Sequence, residues 1–229
     1  MSLILQIETA TTVCSVALAD KGSVLAYKEV EQRNAHAEAI TIFIDELFKT
    51  TGKSYHQLDA IAVSCGPGSY TGLRIGVSTA KGLCFALDKP LIAIETLEAM
   101  TTGMIVENTF DGNSILLCPM IDARRMEVFT AVFDRNGKKI RPTSAEILDE
   151  NSYSDLLQTN RMIFFGDGAW KCQEILGTNP NVQIITSFTN SARHLSKMAA
   201  EKYQANDFVD TAYFEPYYLK DFIAGKKSV

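Results

Sequence analysis

The chain has 229 residues, 46% of them hydrophobic and 21% charged, proportions that suit a globular protein with a large core and exclude a disordered one. Its formal charge of -5 argues against a stand-alone nucleic-acid binder, although Arg124-Arg125, Lys138-Lys139 and Lys226-Lys227 are local basic spots that suit a composite RNA surface. Five cysteines without a C-x-x-C pair read as reduced thiols in a cytoplasmic protein; no apolar run reaches membrane-spanning length, and Glu8 interrupts the run that a signal peptide requires.

In chain order, Leu3 to Ile7 reads as a strand buried on both faces, followed by Glu8-Thr9-Ala10-Thr11-Thr12 and two further strands, Cys14–Ala19 and Val24–Lys28, that complete a meander. Asn34 is placed to cap a helix from Ala35 to about Thr50, with Ile40, Phe43, Ile44 and Leu47 as its apolar stripe and Gly52 at its end. Leu58–Val63 is a strand that breaks at Gly66-Pro67-Gly68, a turn no regular element crosses. Ser69 or Thr71 caps the next helix, which runs to about Leu87. Strand, glycine-rich turn and helix is the layout in which backbone N–H groups face an anion, but no Gly-Lys-Ser/Thr follows the turn and a P-loop is excluded. Pro90–Ile94 is a short strand and Glu95–Met104 a helix.

The helix after the turn is unusual. Gly72, Gly76 and Ala80 share one face, and interior glycine costs about 1 kcal/mol each against alanine, so close approach of another backbone must compensate. Its own sheet or a partner's helix would serve. The second reading places Gly72, Leu73, Arg74, Gly76, Val77, Ala80 and Lys81 at a partner interface, with Arg74 and Lys81 as polar rims.

The second half restarts the pattern. Ser114–Asp122 is a buried strand ending in an acid, Glu127–Phe133 a strand leading to an Asn136-Gly137 hairpin, and Met162–Phe165 a strand breaking into Gly166-Asp167-Gly168. Helices at Tyr153–Gln158, Ala169–Leu176 and Ser191–Lys202, and a strand at Val182–Ile185, follow; the aromatic tail Tyr213–Leu219 reads as an anchor to the body. This is an internal duplication of two α/β halves meeting near Thr101–Gly112, with domains expected over 1–105 and 106–229.

Two such halves, each opening on a meander whose first turn carries an acid and hydroxyl residues, resemble the actin-like (ASKHA, RNase H-like) superfamily: tandem subdomains with mixed sheets and flanking helices. Four segments more specifically resemble the TsaB family, partner subunits in bacterial tRNA threonylcarbamoyladenosine synthesis: Ile7–Ala10, His36-Ala37-Glu38, Ser64–Gly76 and Asp122–Val128. The resemblance implies a scaffold that acts with a metal-holding catalytic paralogue, TsaD, and an ATPase, TsaE, and meets tRNA only through the complex; the isolated chain would be a homodimer. It implies no catalytic residue, metal or cofactor in this chain. The phosphate turn is degenerate, for at Glu8, Thr9, Thr11 and Thr12 the pattern keeps hydroxyls but Ala10 replaces its glycine, and the stretch Glu95–Met100 lacks the paralogue's histidines. The alternative is a small-molecule kinase or ATPase of the same superfamily. Ser64-Cys65 has no base placed to activate it, and Arg124-Arg125 either joins the two halves by ion pairing or touches a partner.

Overall fold

The first strand, β1 (Leu3–Glu8), is buried along its whole length, as a central strand covered by helices on both sides must be. In the computed structural model, which describes residues 2–32, 36–110, 112 and 114–220, it pairs antiparallel with β2 (Val13–Asp20) and parallel with β4 (Ala60–Gly66). With the edge strands β3 (Ser23–Glu31) and β5 (Leu91–Glu95) the sheet order is β3-β2-β1-β4-β5. Helices α1 (His36–Thr51) and α2 (Tyr70–Leu87) lie side by side on one face, where Ile40, Ile44, Leu47, Val77, Ala80 and Cys84 meet Leu5, Ile7, Val16 and Val63. The expected cap Asn34 lies outside the described residues.

The second sheet repeats the first strand for strand. β6 (Ile115–Asp122), β7 (Glu127–Asp134), β8 (Lys139–Ile147), β9 (Arg161–Phe165) and β10 (Val182–Ile185) are ordered β10-β9-β6-β7-β8, with the same antiparallel and parallel pairings. The duplication read from the sequence is therefore a duplication of topology. Short helices α4 (Ser154–Leu157) and α5 (Cys172–Leu176) cover one face of this sheet.

The domain boundary differs from the expectation. Helix α3 (Thr96–Glu107) does not belong to one half: Leu97, Met100 and Met104 pack with the second sheet, while Ala99 packs with Ile4, Ile92 and Ile94 of the first. The 3-10 segment Ala192–Leu195 and α6 (Ser196–Gln204) return to the first sheet, and Leu195 and Ala199 join its core. The tail stays there too, with Val209 N–H donating to Leu91 O at 3.0 Å and Tyr217 N–H to Cys65 O at 2.7 Å. A cut at residue 105 passes through α3, and 106–229 is not one spatial unit. The chain leaves the first layer, builds the second, and comes back to cover the first.

Candidate functional site

The turn after β1 is closed by the protein's own residues. Glu8 folds back on its own turn and accepts a hydrogen bond from Ala10 N–H at 2.6 Å. Thr9 N–H and the Ser64 hydroxyl also stabilise this carboxyl, yet burial dominates and pushes its pKa up to about 7. The side-chain carboxyl thus occupies the N–H cradle that a phosphate would need. From the other side, Ser69 N–H donates to Ala10 O at 2.7 Å and the Thr9 hydroxyl to Gly72 O at 2.8 Å. Glu8, Thr9, Ala10 and Thr11 are buried, and Thr12 is half-buried. These residues do not fit a nucleotide phosphate at this turn.

The same contacts correct the interface read from the glycine stripe. A Cβ on Gly72 would lie 2.1 Å from Thr9 O, one on Gly76 2.2 Å from Thr9 Oγ1, and one on Gly68 2.5 Å from Ala10 O. The glycines let α2 press on the β1–β2 turn, and Gly72, Leu73, Gly76, Val77 and Ala80 are buried within the chain. Lys81 is not a free rim either, since its Nζ donates to Ala212 O and Phe214 O, both at 3.1 Å, and so holds the tail. Arg74 remains exposed, with its guanidinium 4.7 Å above the Tyr70 ring, which in turn packs 4.8 Å from Tyr218. The Gly66-Pro67-Gly68 turn carries a cis peptide at Pro67, and a Cβ on Gly66 would meet Tyr217 O at 2.4 Å. Ser69 supplies the cap of α2, accepting from Gly72 N–H.

The face of α2 that does point outward comprises Arg74, Ser78, Gly82, Phe85 and Ala86. Phe85 is 89% exposed, and a Cβ on Gly82 would meet nothing within 4 Å. Ile42 of the neighbouring α1 is exposed as well. The signal for this face lay in the sequence: Leu73, Val77, Ala80 and Cys84 share one helical stripe, and Phe85 falls outside it.

The second half has a corresponding turn. Asp122, at the end of β6, accepts from Arg124 N–H at 2.7 Å and from Lys171 Nζ at 2.7 Å. Lys171, almost fully buried, also donates to Glu127 O at 2.7 Å, and Asp167 accepts from Asp122 N–H at 3.0 Å. Burial raises Asp167 to about 6, helped by the neighbouring Asp122 charge, and Asp167 in turn adds to the upward push on Glu8 across the junction of the halves. The sequence reading missed Lys171. Arg124 and Arg125 both adopt the left-handed conformation, with φ of 71° and 47°, and are exposed. Among the described residues their side chains form no ion pair, so they do not join the halves in that way.

The histidines stand apart. His36 is buried with Nε2 3.0 Å from Thr11 O, His56 is exposed, and His194 sits with Nε2 3.1 Å from Glu107 Oε1. Among the described residues, no three His, Cys, Asp or Glu side chains group as metal ligands. Cys65 is no nucleophile candidate, because burial pushes its thiol up to about 12. Ser64 is buried and bonded to the Thr96 hydroxyl at 2.8 Å.

Residues 24–221 match the family model of TsaD, the tRNA N6-adenosine threonylcarbamoyltransferase. The chain is 31% identical over 230 residues to the tRNA threonylcarbamoyladenosine biosynthesis protein TsaB of Escherichia coli (strain K12), covering 98% of this chain and 97% of that one. Among solved structures, YeaZ from Pseudomonas aeruginosa superposes with a TM-score of 0.79 at 26% identity, over 96% of this chain and 100% of the other. The activator of the 2-hydroxyisocaproyl-CoA dehydratase from Clostridium difficile shares the fold alone, with a TM-score of 0.50 at 9% identity over 90% of this chain and 97% of that one. No helix among the described residues is long and apolar enough to cross a membrane.

Proposed function

Because the chain belongs to the TsaB family of tRNA threonylcarbamoyladenosine biosynthesis proteins, we propose that it serves in the cytoplasm as the non-catalytic partner subunit of a threonylcarbamoyl-transferring complex. Chemistry and nucleotide belong to a TsaD-like paralogue, a TsaE-like ATPase completes the assembly, and tRNA is met through the complex. The observation that carries this reading is the end-to-end likeness to TsaB, and the self-closed turn supports the non-catalytic part. A chain whose own carboxyl fills its phosphate cradle has no place there for a transferable phosphoryl group, which also disfavours the kinase alternative.

The outward face of α2 is the docking surface in this reading. Small residues at Ser78, Gly82 and Ala86 permit close helix approach, and Phe85 supplies an aromatic anchor of the kind that dominates interface energetics. The isolated chain pairs with a second copy through the same face, so homodimer and heterodimer compete.

Reconstitution tests the proposal. Purified chain, TsaD-like and TsaE-like proteins encoded by the same genome are mixed with unmodified tRNA, ATP and the threonylcarbamoyl donor, and the modified nucleoside is read by mass. Product is expected only with the chain present, and none from the chain alone. Full activity without it, or transfer or ATP turnover by it alone, would overturn the reading.

A further inference from the structure

On the face of the first sheet opposite α1 and α2, the edge strand β3 runs beside α3 and the start of α6, and a half-open pocket of about 620 Å³ lies between them. Its size falls within the range of small-molecule sites, ~300–1,000 Å³. The walls collect apolar side chains that the fold leaves uncovered, namely Val24, Leu25, Tyr27 and Val106, and Val106 is 73% exposed. Such a concentration is uncommon on a surface with no binding role.

Among the residues that line the pocket, Arg193 and Lys197 face one carboxylate, Glu107, and a second, Glu29, stands behind Ser191, whose hydroxyl donates to it at 2.7 Å. The Glu107 carboxylate is already shared: Oε1 receives His194 Nε2 at 3.1 Å and Arg193 Nη2 at 3.4 Å. His194 is held in place by its ring stack on Phe188, 5.3 Å between centroids, and by the space left at Gly103. Arg193 is pre-positioned by its Nε–H bond to Ser191 Oγ at 3.1 Å and by its stack 4.5 Å over the Tyr27 ring. The rest of its donor fork, and the whole Lys197 ammonium, have no partner among the described residues. In a chain of net charge -5, a concave site with an unpaired ammonium, spare guanidinium donors and apolar walls suits an anion attached to an apolar body.

We propose that this pocket binds a small organic anion, of the class of ring-bearing carboxylates and sulfonates, with its apolar body against Val24, Leu25 and Val106 and its charge at Lys197 and Arg193. The site is on the opposite side of the sheet from the α2 docking face and is independent of the scaffold reading.

The test uses the full chain and two dyes that share one ring system: 8-anilinonaphthalene-1-sulfonate, and N-phenyl-1-naphthylamine, which lacks the sulfonate. Fluorescence titration below the melting transition is expected to saturate at one sulfonate per chain, with the neutral amine about tenfold weaker. Lys197→Glu should weaken the sulfonate about tenfold while leaving the amine within about twofold, and Val106→Asp should weaken both. Both positions are exposed, so thermal melts of the variants should match the parent. Non-saturable dye binding, equal affinity for the two dyes, or sulfonate binding indifferent to both substitutions would overturn the proposal.

Discussion

Replacing Gly72 with alanine probes the contact that closes the β1–β2 turn. The new Cβ would stand 2.1 Å from Thr9 O and 3.3 Å from Thr9 C, and a backbone carbonyl cannot swing aside as a side chain can. α2 must withdraw, stretching the Thr9–Gly72 bond of 2.8 Å and the Ser69–Ala10 bond of 2.7 Å. Overpacking of this kind costs about 3 kcal/mol at the upper end of its range, and the better helix propensity of alanine returns about 1, leaving about 2 kcal/mol of destabilisation. For a chain of this size that is a fall in Tm of about 4–8 °C. Gly76→Ala should cost less, since its Cβ meets the Thr9 hydroxyl at 2.2 Å, and that group can rotate once it gives up Gly72 O. Gly82→Ala has open space around it and should raise Tm by about 2–4 °C through propensity alone. Differential scanning calorimetry of the three variants settles the order. A Gly72→Ala variant as stable as the parent would refute the closed turn, and a destabilised Gly82→Ala would refute a free outer face.

Three further outcomes follow from the same contacts. Glu8 binds its proton up to about pH 7 when folded, against an ordinary 4.5. The folded state therefore holds the extra proton between those values, and stability falls by about 3 kcal/mol as pH rises from 5 to 8. Urea titrations across that range should show Glu8→Gln, which can still accept from Ala10 N–H, losing most of that slope; an unchanged slope would place the titration elsewhere. Asp122→Ala should destabilise more than Lys171→Met, because it leaves a buried ammonium with only Glu127 O and the nearby Asp167 while the latter frees a carboxylate that water reaches, a loss of about 1–3 kcal/mol; equal losses in denaturant midpoints would count against a charged Lys171. In sedimentation at physiological salt, tRNA binding by the isolated chain should be weak and easily lost with added salt, given its net charge of -5; tight binding with a steep salt slope would reveal a basic face not described above.

Local patterns made most of the architecture legible. Buried strands at Leu3–Ile7 and Ser114–Asp122, each ending in an acid, together with turn chemistry at Gly66-Pro67-Gly68 and Asn136-Gly137, were enough to read the duplication, and the two sheets repeat one another in order and direction. What failed was long-range. Nothing in the periodicity of 191–204 says which sheet that segment covers, and it returns to the first. The stripe of Gly72, Gly76 and Ala80 announced close backbone approach, but spacing cannot name the partner, which is Thr9 of the same chain. Glu8 was read as a degraded phosphate ligand; its real part, filling the cradle itself, depends on a side-chain direction that no sequence motif encodes. Lys171, in an unremarkable Trp-Lys-Cys stretch, becomes a buried cation only once β6 and the turn after β9 are brought together.

In the function proposed above, the chain docks its TsaD-like paralogue through the outer face of α2. Isothermal titration of the chain with the TsaD-like protein of the same genome, parent against Phe85→Glu, tests it most directly. Phe85 is 89% exposed in the isolated chain, so the variant should melt with the parent. An aromatic anchor at an interface is worth about 2–4 kcal/mol, so Kd should rise by a factor of about 30 to 1,000. A Phe85→Glu chain that folds and binds the paralogue with parental affinity would contradict it.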